Sequence, residues 1–226
     1  AFTQKPSIFG GMYSVAYNED YNVVNHYTKD LSCPDGYSAH TVGHFVACYE
    51  CGNVHLHLCL KDDATEDPRR FFGGMFNTND CGIKQYSNPI TGSFGCDTMG
   101  GYNPYLAIAS QNDDNCDTNI YVCLKGELDY YNLGGFYTQF NTKIGNDEQC
   151  GITFECQDKN VEHHLMHSLE CPNRYEQHLI AHVYSPGSTE SCPGCNGRAY
   201  ICLMPESEIY DDKVEDDIVP LGAQHP

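Results

Sequence analysis

The amino-acid sequence predicts an all-β fold made of three similar units that are fastened by disulfides. Matching segments recur three times along the 226 residues, and fourteen cysteines are distributed over all three copies. Apolar and polar residues alternate most clearly at Val54, Leu56 and Leu58, as expected of a strand with one buried face. No segment shows the apolar periodicity of a long α-helix.

Each unit opens on a Gly-Gly pair between large apolar residues and closes on an apolar run that contains one cysteine. The openings are at 9–13, 72–76 and 133–137, and the closing runs are at 56–60, 120–124 and 199–203. Three copies of one supersecondary unit bury their apolar faces by packing together. We therefore expect one domain over residues 1–204, with units at about 8–61, 71–125 and 132–204.

Two strands are predicted in every unit, joined by a loop rich in Cys, Asn, Asp, Gly or Pro. The first strand lies near 37–47, 102–110 or 175–184, and the closing run forms the second. Each Gly-Gly pair marks a place where positive φ or close backbone approach excludes a Cβ, as a three-fold axis would require three times. Seventeen tyrosines and no tryptophan are expected to supply much of the large buried area.

Charge separates the domain from its C-terminal segment and excludes one class of partner. Residues 205–226 are rich in Asp and Glu and predict a solvated acidic tail. The net charge of −19 argues against nucleic acid as a partner, because phosphate binding depends on clustered Lys and Arg.

The cysteines predict a secreted, extracellular protein with bridges inside each unit. The totals per unit are even, so every unit can close its own disulfides, although the pairing stays open. The sequence has no run long enough to span a membrane and no signal peptide at Ala1, so we expect a mature chain or an excised fragment. The cysteines are Cys33, Cys48, Cys51 and Cys59, then Cys81, Cys96, Cys116 and Cys123, then Cys150, Cys156, Cys171, Cys192, Cys195 and Cys202.

Two other interpretations of the cysteines are open. Cys48-x2-Cys51, followed by His55 and His57, has the ligand types and short spacing of a zinc site, to which a distant Cys-x2-Cys at 192–195 would add. The same Cys-Pro-Gly-Cys at 192–195 has the spacing of a redox-active pair. An oxidising compartment and the even totals favour structural bridges over both.

Histidines provide the candidate ligand-binding or pH-sensing residues. His40 and His44 of the first unit are matched by His178 and His182 of the third, while the second unit has Tyr105 in place of His40. Residues four apart on a strand face the same side, so each pair is expected to share one face. Two of three equivalent faces would then gain charge between pH 7 and pH 5 and bind anionic ligands better. Structural, hydrogen-bonded histidines are the alternative.

Metal binding by these histidines would need a second strand. His40 and His44 are expected roughly 13 Å apart, at a rise of roughly 3.3 Å per residue, which is too far to share one ion. His55 or His57 of the neighbouring strand would be needed, and a separate cluster comprises His163, His164 and His167.

An alternating run of oxygen-bearing residues is a weak calcium candidate. Asp113, Asn115 and Asp117 offer oxygen ligands, but the run lacks the Gly and Glu of an EF-hand loop, and a polar hairpin loop is the alternative. No nucleophile elbow or acid–base set is present, so neither an enzyme nor a cofactor is predicted.

The repeated motifs resemble those of a known family. The Gly-Gly pairs, the Asn-Pro-x-Thr at 88–91 and the Cys-Pro-x-x-Tyr-x-x-His at 33–40 are similar to the C-terminal P2 domain of macrophage-expressed perforin (perforin-2) and its invertebrate MACPF relatives. The resemblance covers about residues 8–204 and does not include a MACPF domain. It implies a β-prism-like arrangement of three sheets about a pseudo-three-fold axis, and targeting rather than catalysis.

Two functional classes follow from these expectations. The first is a secreted, non-catalytic recognition module that binds a glycan or a lipid head group, in defence or at an extracellular surface, as the resemblance implies. The second is an acidic secreted protein with a structural, storage or signalling role, in which the prism is only a scaffold. The oligomeric state is left open.

Overall fold

The computed structural model describes residues 8–48, 52–62, 71–112, 114–125, 133–140, 156–185 and 194–205. Most of the predicted acidic tail, residues 206–226, lies outside this part of the chain. The described residues form nine strands and two short 3-10 helices, Glu19–Tyr21 and Cys156–Lys159, and contain no α-helix. The all-β prediction is therefore confirmed. The strands are β1 Phe9–Ala16, β2 Tyr37–Cys48, β3 Gly52–Lys61, β4 Phe72–Asn79, β5 Asn103–Gln111, β6 Asp117–Leu124, β7 Leu133–Phe140, β8 Glu176–Ser185 and β9 Cys195–Leu203.

The strands form three antiparallel three-stranded sheets with the same topology, in the orders β1-β3-β2, β4-β6-β5 and β7-β9-β8. The apolar closing run of each unit is the central strand. The two predicted strands per unit are present, but the Gly-Gly segment forms a third, edge strand that the sequence interpretation missed. Glycine is depleted in strands, so the pair did not indicate one.

Each Gly-Gly pair is required by contacts inside its own unit. A Cβ on Gly73 would collide with the ring of Tyr102, and a Cβ on Gly74, whose φ is +97°, would collide with the Asn88 side chain. Both predicted reasons for glycine, close approach and positive φ, therefore apply. The expected cause was wrong, because the close neighbours belong to the same unit rather than to a three-fold axis. The equivalent contacts are Gly10 with Tyr37, Gly134 with Tyr175, Gly11 with Asn25 and Gly135 with His163.

The disulfides repeat with the units. Five bridges join described cysteines, and none of the five connects two units. Three are equivalent and tie the loop before the first predicted strand to the central strand: Cys33–Cys59, Cys96–Cys123 and Cys171–Cys202. The other two are Cys81–Cys116 and Cys156–Cys195. Cys48 is also disulfide-bonded, while Cys51, Cys150 and Cys192 lie outside the described residues.

The three sheets share one hydrophobic cluster, to which the central strands contribute Leu56, Leu58, Ile120 and Ile201. Contacts between sheets follow a cyclic order, because β1 contacts β8, β7 contacts β5 and β4 contacts β2. The equivalent strands β2, β5 and β8 also contact one another. Two side chains donate hydrogen bonds across sheets: Thr138 Oγ1 to the Ala107 carbonyl at 2.7 Å, and Ser110 Oγ to the Tyr184 carbonyl at 2.6 Å.

Candidate functional site

A buried asparagine fixes the loop beside the Gly-Gly strand in the second unit. Asn88 is fully buried, and its Nδ2 donates to the Gly73 carbonyl at 2.9 Å and to the Gly95 carbonyl at 3.2 Å. Its Oδ1 accepts from the Ile90 backbone N–H at 3.0 Å. Asn25 makes the same set of bonds in the first unit, to Gly10 O, Ser32 O and Tyr27 N. In the second unit, the hydrogen bonds of Asn88 hold residues 88–95 against β4.

The third unit has a buried histidine in place of this asparagine. His163 Nε2 donates to the Gly134 carbonyl at 2.6 Å, while its Nδ1 accepts from the Leu165 N–H at 3.2 Å. One ring nitrogen donates and the other accepts, so the ring is neutral. Burial lowers the pKa of His163, the bond to Gly134 opposes this, and His167 lowers the pKa further. The sequence interpretation named His163 only as a metal candidate.

A cleft lies between this loop and β4 in the second unit. Its volume is about 440 Å³, which is within the range of small-ligand sites. Tyr102, Ile90 and Cys96 provide its apolar surface, and Thr91, Ser93 and Asp97 its polar groups. The Thr91 and Ser93 hydroxyls are 2.9 Å apart. The cleft therefore combines an aromatic wall with one carboxylate and two hydroxyls.

The loop beside the cleft is longer in the second unit than in the others. Six positions separate Cys96 from Tyr102, whereas four separate Cys33 from Tyr37 and Cys171 from Tyr175. Asp97 stands where the other units have proline, and its Oδ1 accepts from the Gly100 N–H at 2.9 Å. This longer spacing was visible in the sequence as the signal of a non-equivalent site, but it was overlooked.

The segment that lines the cleft also exposes two large apolar side chains. Phe94 is 52% exposed and Met99 is 100% exposed. Ser93, Cys96 and Asp97 come from the same segment and line the cleft. Apolar side chains thus flank the polar groups of the cleft along the chain.

The structure separates the two predicted histidines of each pair. A β-bulge shifts the register of β2 between Thr41 and Gly43, which reverses the face of the residues that follow, up to a second shift after Val46. His40 therefore pairs with the fully buried Leu58, whereas His44 pairs with His55 on the opposite face. The expectation of a shared face was wrong. The same shift separates His178, which pairs with Ile201, from His182, which pairs with Arg198.

Three of the predicted residues lie where one unit packs on the next. The His178 ring in the third unit is 3.7 Å from the His26 ring of the first unit, measured between centroids. The equivalent Tyr105 in the second unit is 4.4 Å from His164 of the third. His182 contacts Tyr21 edge to face at 5.3 Å. These residues make contacts between units. The residue pattern of one strand does not predict such contacts.

Burial makes several of these histidines harder to protonate. It is the main cause that lowers the pKa of His178, helped by His26 and Lys29 and opposed by Glu176. Burial and Arg198 lower the pKa of His182. The charging of these two residues therefore shifts to more acid pH than the ordinary histidine range assumed from the sequence.

The buried environment of His164 predicts that the folded state loses stability at acid pH. Burial, followed by His163 and His167, lowers the pKa of His164 to about 4. Its Nε2 has no hydrogen-bond partner among the described residues, and Tyr105 faces it from β5. Below a pH of about 6.5, His164 is protonated in the unfolded chain but stays neutral in the folded protein. The free energy of unfolding therefore falls as the pH drops toward 4.

Melting temperatures at pH 7, 6, 5 and 4.5 test this prediction. Carboxylates also titrate near the lower end, so the slope of the wild type is compared with that of His164→Phe, which keeps an aromatic ring. We expect the variant to lose less stability on acidification. His178→Tyr, which copies Tyr105, is expected to act in the same direction. Parallel curves for all three proteins would contradict this account.

Both alternative interpretations of the cysteines were wrong for the described residues. Cys48 is disulfide-bonded and supplies no thiolate for zinc. Cys195 pairs with Cys156 rather than with its neighbour in the Cys-Pro-Gly-Cys motif, so that motif is not a redox pair. Asp80 lies beside Cys81 and Cys116, but their sulfurs are joined to each other.

Only two of the three calcium candidates, Asn115 and Asp117, lie within the described residues. Asp113 lies outside the described residues, Asp117 opens β6, and Asn115 has a left-handed φ of 61°. The Asn115 carbonyl accepts from Gln111 Nε2 at 3.0 Å, as in a polar hairpin loop. Calcium binding by these residues stays a prediction.

Comparison with known proteins found no family model that matches this chain and no curated protein that matches it. Among the described residues, no helix is long and apolar enough to cross a membrane.

Proposed function

We propose that this chain is an extracellular, non-catalytic recognition module that binds a glycan or a glycan-bearing lipid head group in the cleft of its second unit. The cleft itself is the observation that carries the proposal. It is about 440 Å³ in volume and presents an aromatic wall, a carboxylate and two hydroxyls. The disulfides support an oxidising, extracellular setting.

The lining groups suit a ring that carries several hydroxyls. The Asp97 carboxylate accepts hydrogen bonds from hydroxyls, and Ser93 and Thr91 both donate and accept. Tyr102 and Ile90 offer surface for the C–H groups of a sugar ring. This combination of apolar walls with a few convergent polar groups is typical of ligand sites.

Charge favours neutral ligands over phosphate-bearing ones. The chain has a net charge of −19, and a carboxylate lies in the cleft itself. One cation lies against the aromatic wall, because Lys125 Nζ is 5.5 Å from the centroid of the Tyr102 ring. A neutral sugar, free or on a glycolipid, therefore fits better than an anionic head group.

We also propose that the three sheets form a β-prism-like arrangement about a pseudo-three-fold axis, as in the P2 domain of perforin-2 and its relatives. The cyclic order of sheet contacts and the mutual contacts of β2, β5 and β8 support this arrangement. So do the three equivalent disulfides and Gly-Gly contacts.

Blocking the cleft tests the function. Ser93→Trp places an indole at the cleft, and Ser168→Trp makes the same change at the equivalent loop position of the third unit. Both variants and the wild type are applied at pH 7.5 to an array of neutral and acidic glycans. They are also applied to liposomes with a neutral glycolipid, with phosphatidylserine, or with neither.

We expect the wild type and Ser168→Trp to bind neutral glycans or glycolipid liposomes, and Ser93→Trp to lose at least about tenfold in affinity, the equivalent of about 1.4 kcal/mol. Binding of phosphatidylserine alone would replace the neutral-sugar assignment with an anionic one. Absence of binding by the wild type would support the scaffold role instead.

A further inference from the structure

The outer face of the first sheet brings two histidines together. His44 on β2 and His55 on β3 are directly opposed in the antiparallel register. Their Nδ1 atoms are 3.4 Å apart, and their rings meet edge to face with centroids 4.5 Å apart. The bulge before His44 creates this pair, because it turns His44 onto the face that carries His55.

The two nitrogens are within hydrogen-bonding reach of each other, and their separation also suits two ligands of one metal ion. Hydrogen bonds from nitrogen to oxygen usually span about 2.7–3.2 Å, so this contact between two nitrogens is a long one. Two nitrogens bound to one tetrahedral zinc ion, each at about 2.0–2.1 Å, lie about 3.3–3.4 Å apart. Two adjacent ligands of a square-planar ion would be closer, at about 2.8 Å, so the geometry favours zinc over copper(II).

We propose that His44 and His55 form a zinc-binding site through their Nδ1 atoms, with water completing the coordination. The site is independent of the cleft in the second unit. His44 is 6% exposed, whereas His55 is half-buried, so the ion reaches the pair from the His55 side.

The neighbouring His57 contacts other residues of the sheet. Its ring stacks on Tyr13 with centroids 4.8 Å apart, and its Nδ1 is 3.3 Å from Thr41 Oγ1. The centroids of the His55 and His57 rings are 6.5 Å apart. His57 therefore supports the sheet face beside the pair, and among the described residues the ligands are His44 and His55.

The other units lack this pair and provide natural controls. The equivalent positions hold Ala109 opposite Asn119 in the second unit and His182 opposite Arg198 in the third. Alanine offers no ligand, and arginine places a cation beside the histidine. The same fold therefore tolerates His44→Ala and His55→Asn, which copy the second unit.

Calorimetric titration of the full chain with zinc chloride at pH 7.5 tests the site, with calcium chloride as the oxygen-seeking comparison. The wild type is expected to bind one zinc per chain in a saturable manner and to ignore calcium at the same concentration. His44→Ala and His55→Asn are each expected to weaken zinc binding by about tenfold or more. His40→Tyr, which copies Tyr105 on the other face, should bind like the wild type.

Imidazole nitrogen NMR of the wild type gives a readout that does not depend on the folding of any variant. Zinc is expected to shift the Nδ1 signals of two histidines while their Nε2 signals keep the position of N–H. The proposal is overturned by unchanged binding in both ligand variants, by equal loss in His40→Tyr, or by zinc shifts at Nε2. Failure of the wild type to bind zinc at micromolar concentration would overturn it equally.

Discussion

Removal of the Cys96–Cys123 disulfide, by alanine at both positions, is expected to lower the free energy of unfolding by about 3.5 kcal/mol. The two cysteines are 27 residues apart, and releasing a loop of this length restores about that much conformational freedom to the unfolded chain. The bridge also anchors the cleft, because Cys96 lines it and Cys123 is fully buried on the central strand. Denaturant unfolding under oxidising conditions measures the loss.

The second bridge of the same unit is the matched control. Cys81–Cys116 closes 35 residues, so its removal should cost a similar free energy, but neither sulfur lines the cleft. Ligand binding should therefore weaken when Cys96 and Cys123 are replaced and persist when Cys81 and Cys116 are replaced. Equal binding by the two double variants would contradict the role given to the Cys96 bridge.

Replacement of Asn88 by alanine is expected to lower the free energy of unfolding by about 2–4 kcal/mol. The change leaves the carbonyls of Gly73 and Gly95 without the donor that now bonds them. It also removes the acceptor of the Ile90 N–H. Each buried polar group left without a partner costs about 1–3 kcal/mol, and partial relaxation reduces the sum. Denaturant unfolding again provides the measurement.

The third unit supplies the control for this change. Asn88→His copies His163, which makes the equivalent bonds to a glycine carbonyl and a backbone N–H. We expect the histidine variant to be more stable than the alanine variant, although less stable than the wild type. An alanine variant as stable as the wild type would show that the hydrogen bonds of Asn88 do not hold the loop.

The repeats made much of the fold predictable. Matching closing runs with alternating apolar residues correctly predicted three of the strands. The even cysteine totals predicted bridges within units, and the five described bridges agree with this. The third strand was missed because glycines such as Gly10 and Gly11 are depleted in strands. Their conformations depend on Tyr37 and Asn25, residues distant in sequence that contact them only after folding.

The site was less predictable because its residues depend on register and on contacts between units. A one-residue bulge between Thr41 and Gly43 moved His44 away from the face of His40, and no local pattern announces such a bulge. The contact of His178 with His26 depends on how two units pack. The cleft had a visible signal, the longer spacing from Cys96 to Tyr102, but its meaning depends on knowing which loop it enlarges.

Amide NMR of the protein with a bound sugar locates the binding site on the chain. The probe is the neutral oligosaccharide that binds best on the array, titrated into the wild type and into Asp97→Asn, which keeps an oxygen to accept from Gly100 but removes the charge. We expect shifts concentrated at residues 90–102 in the wild type, with affinity at least about tenfold weaker in the variant. Shifts concentrated at the equivalent loops 27–37 or 165–175, or equal affinity for both proteins, would contradict this expectation.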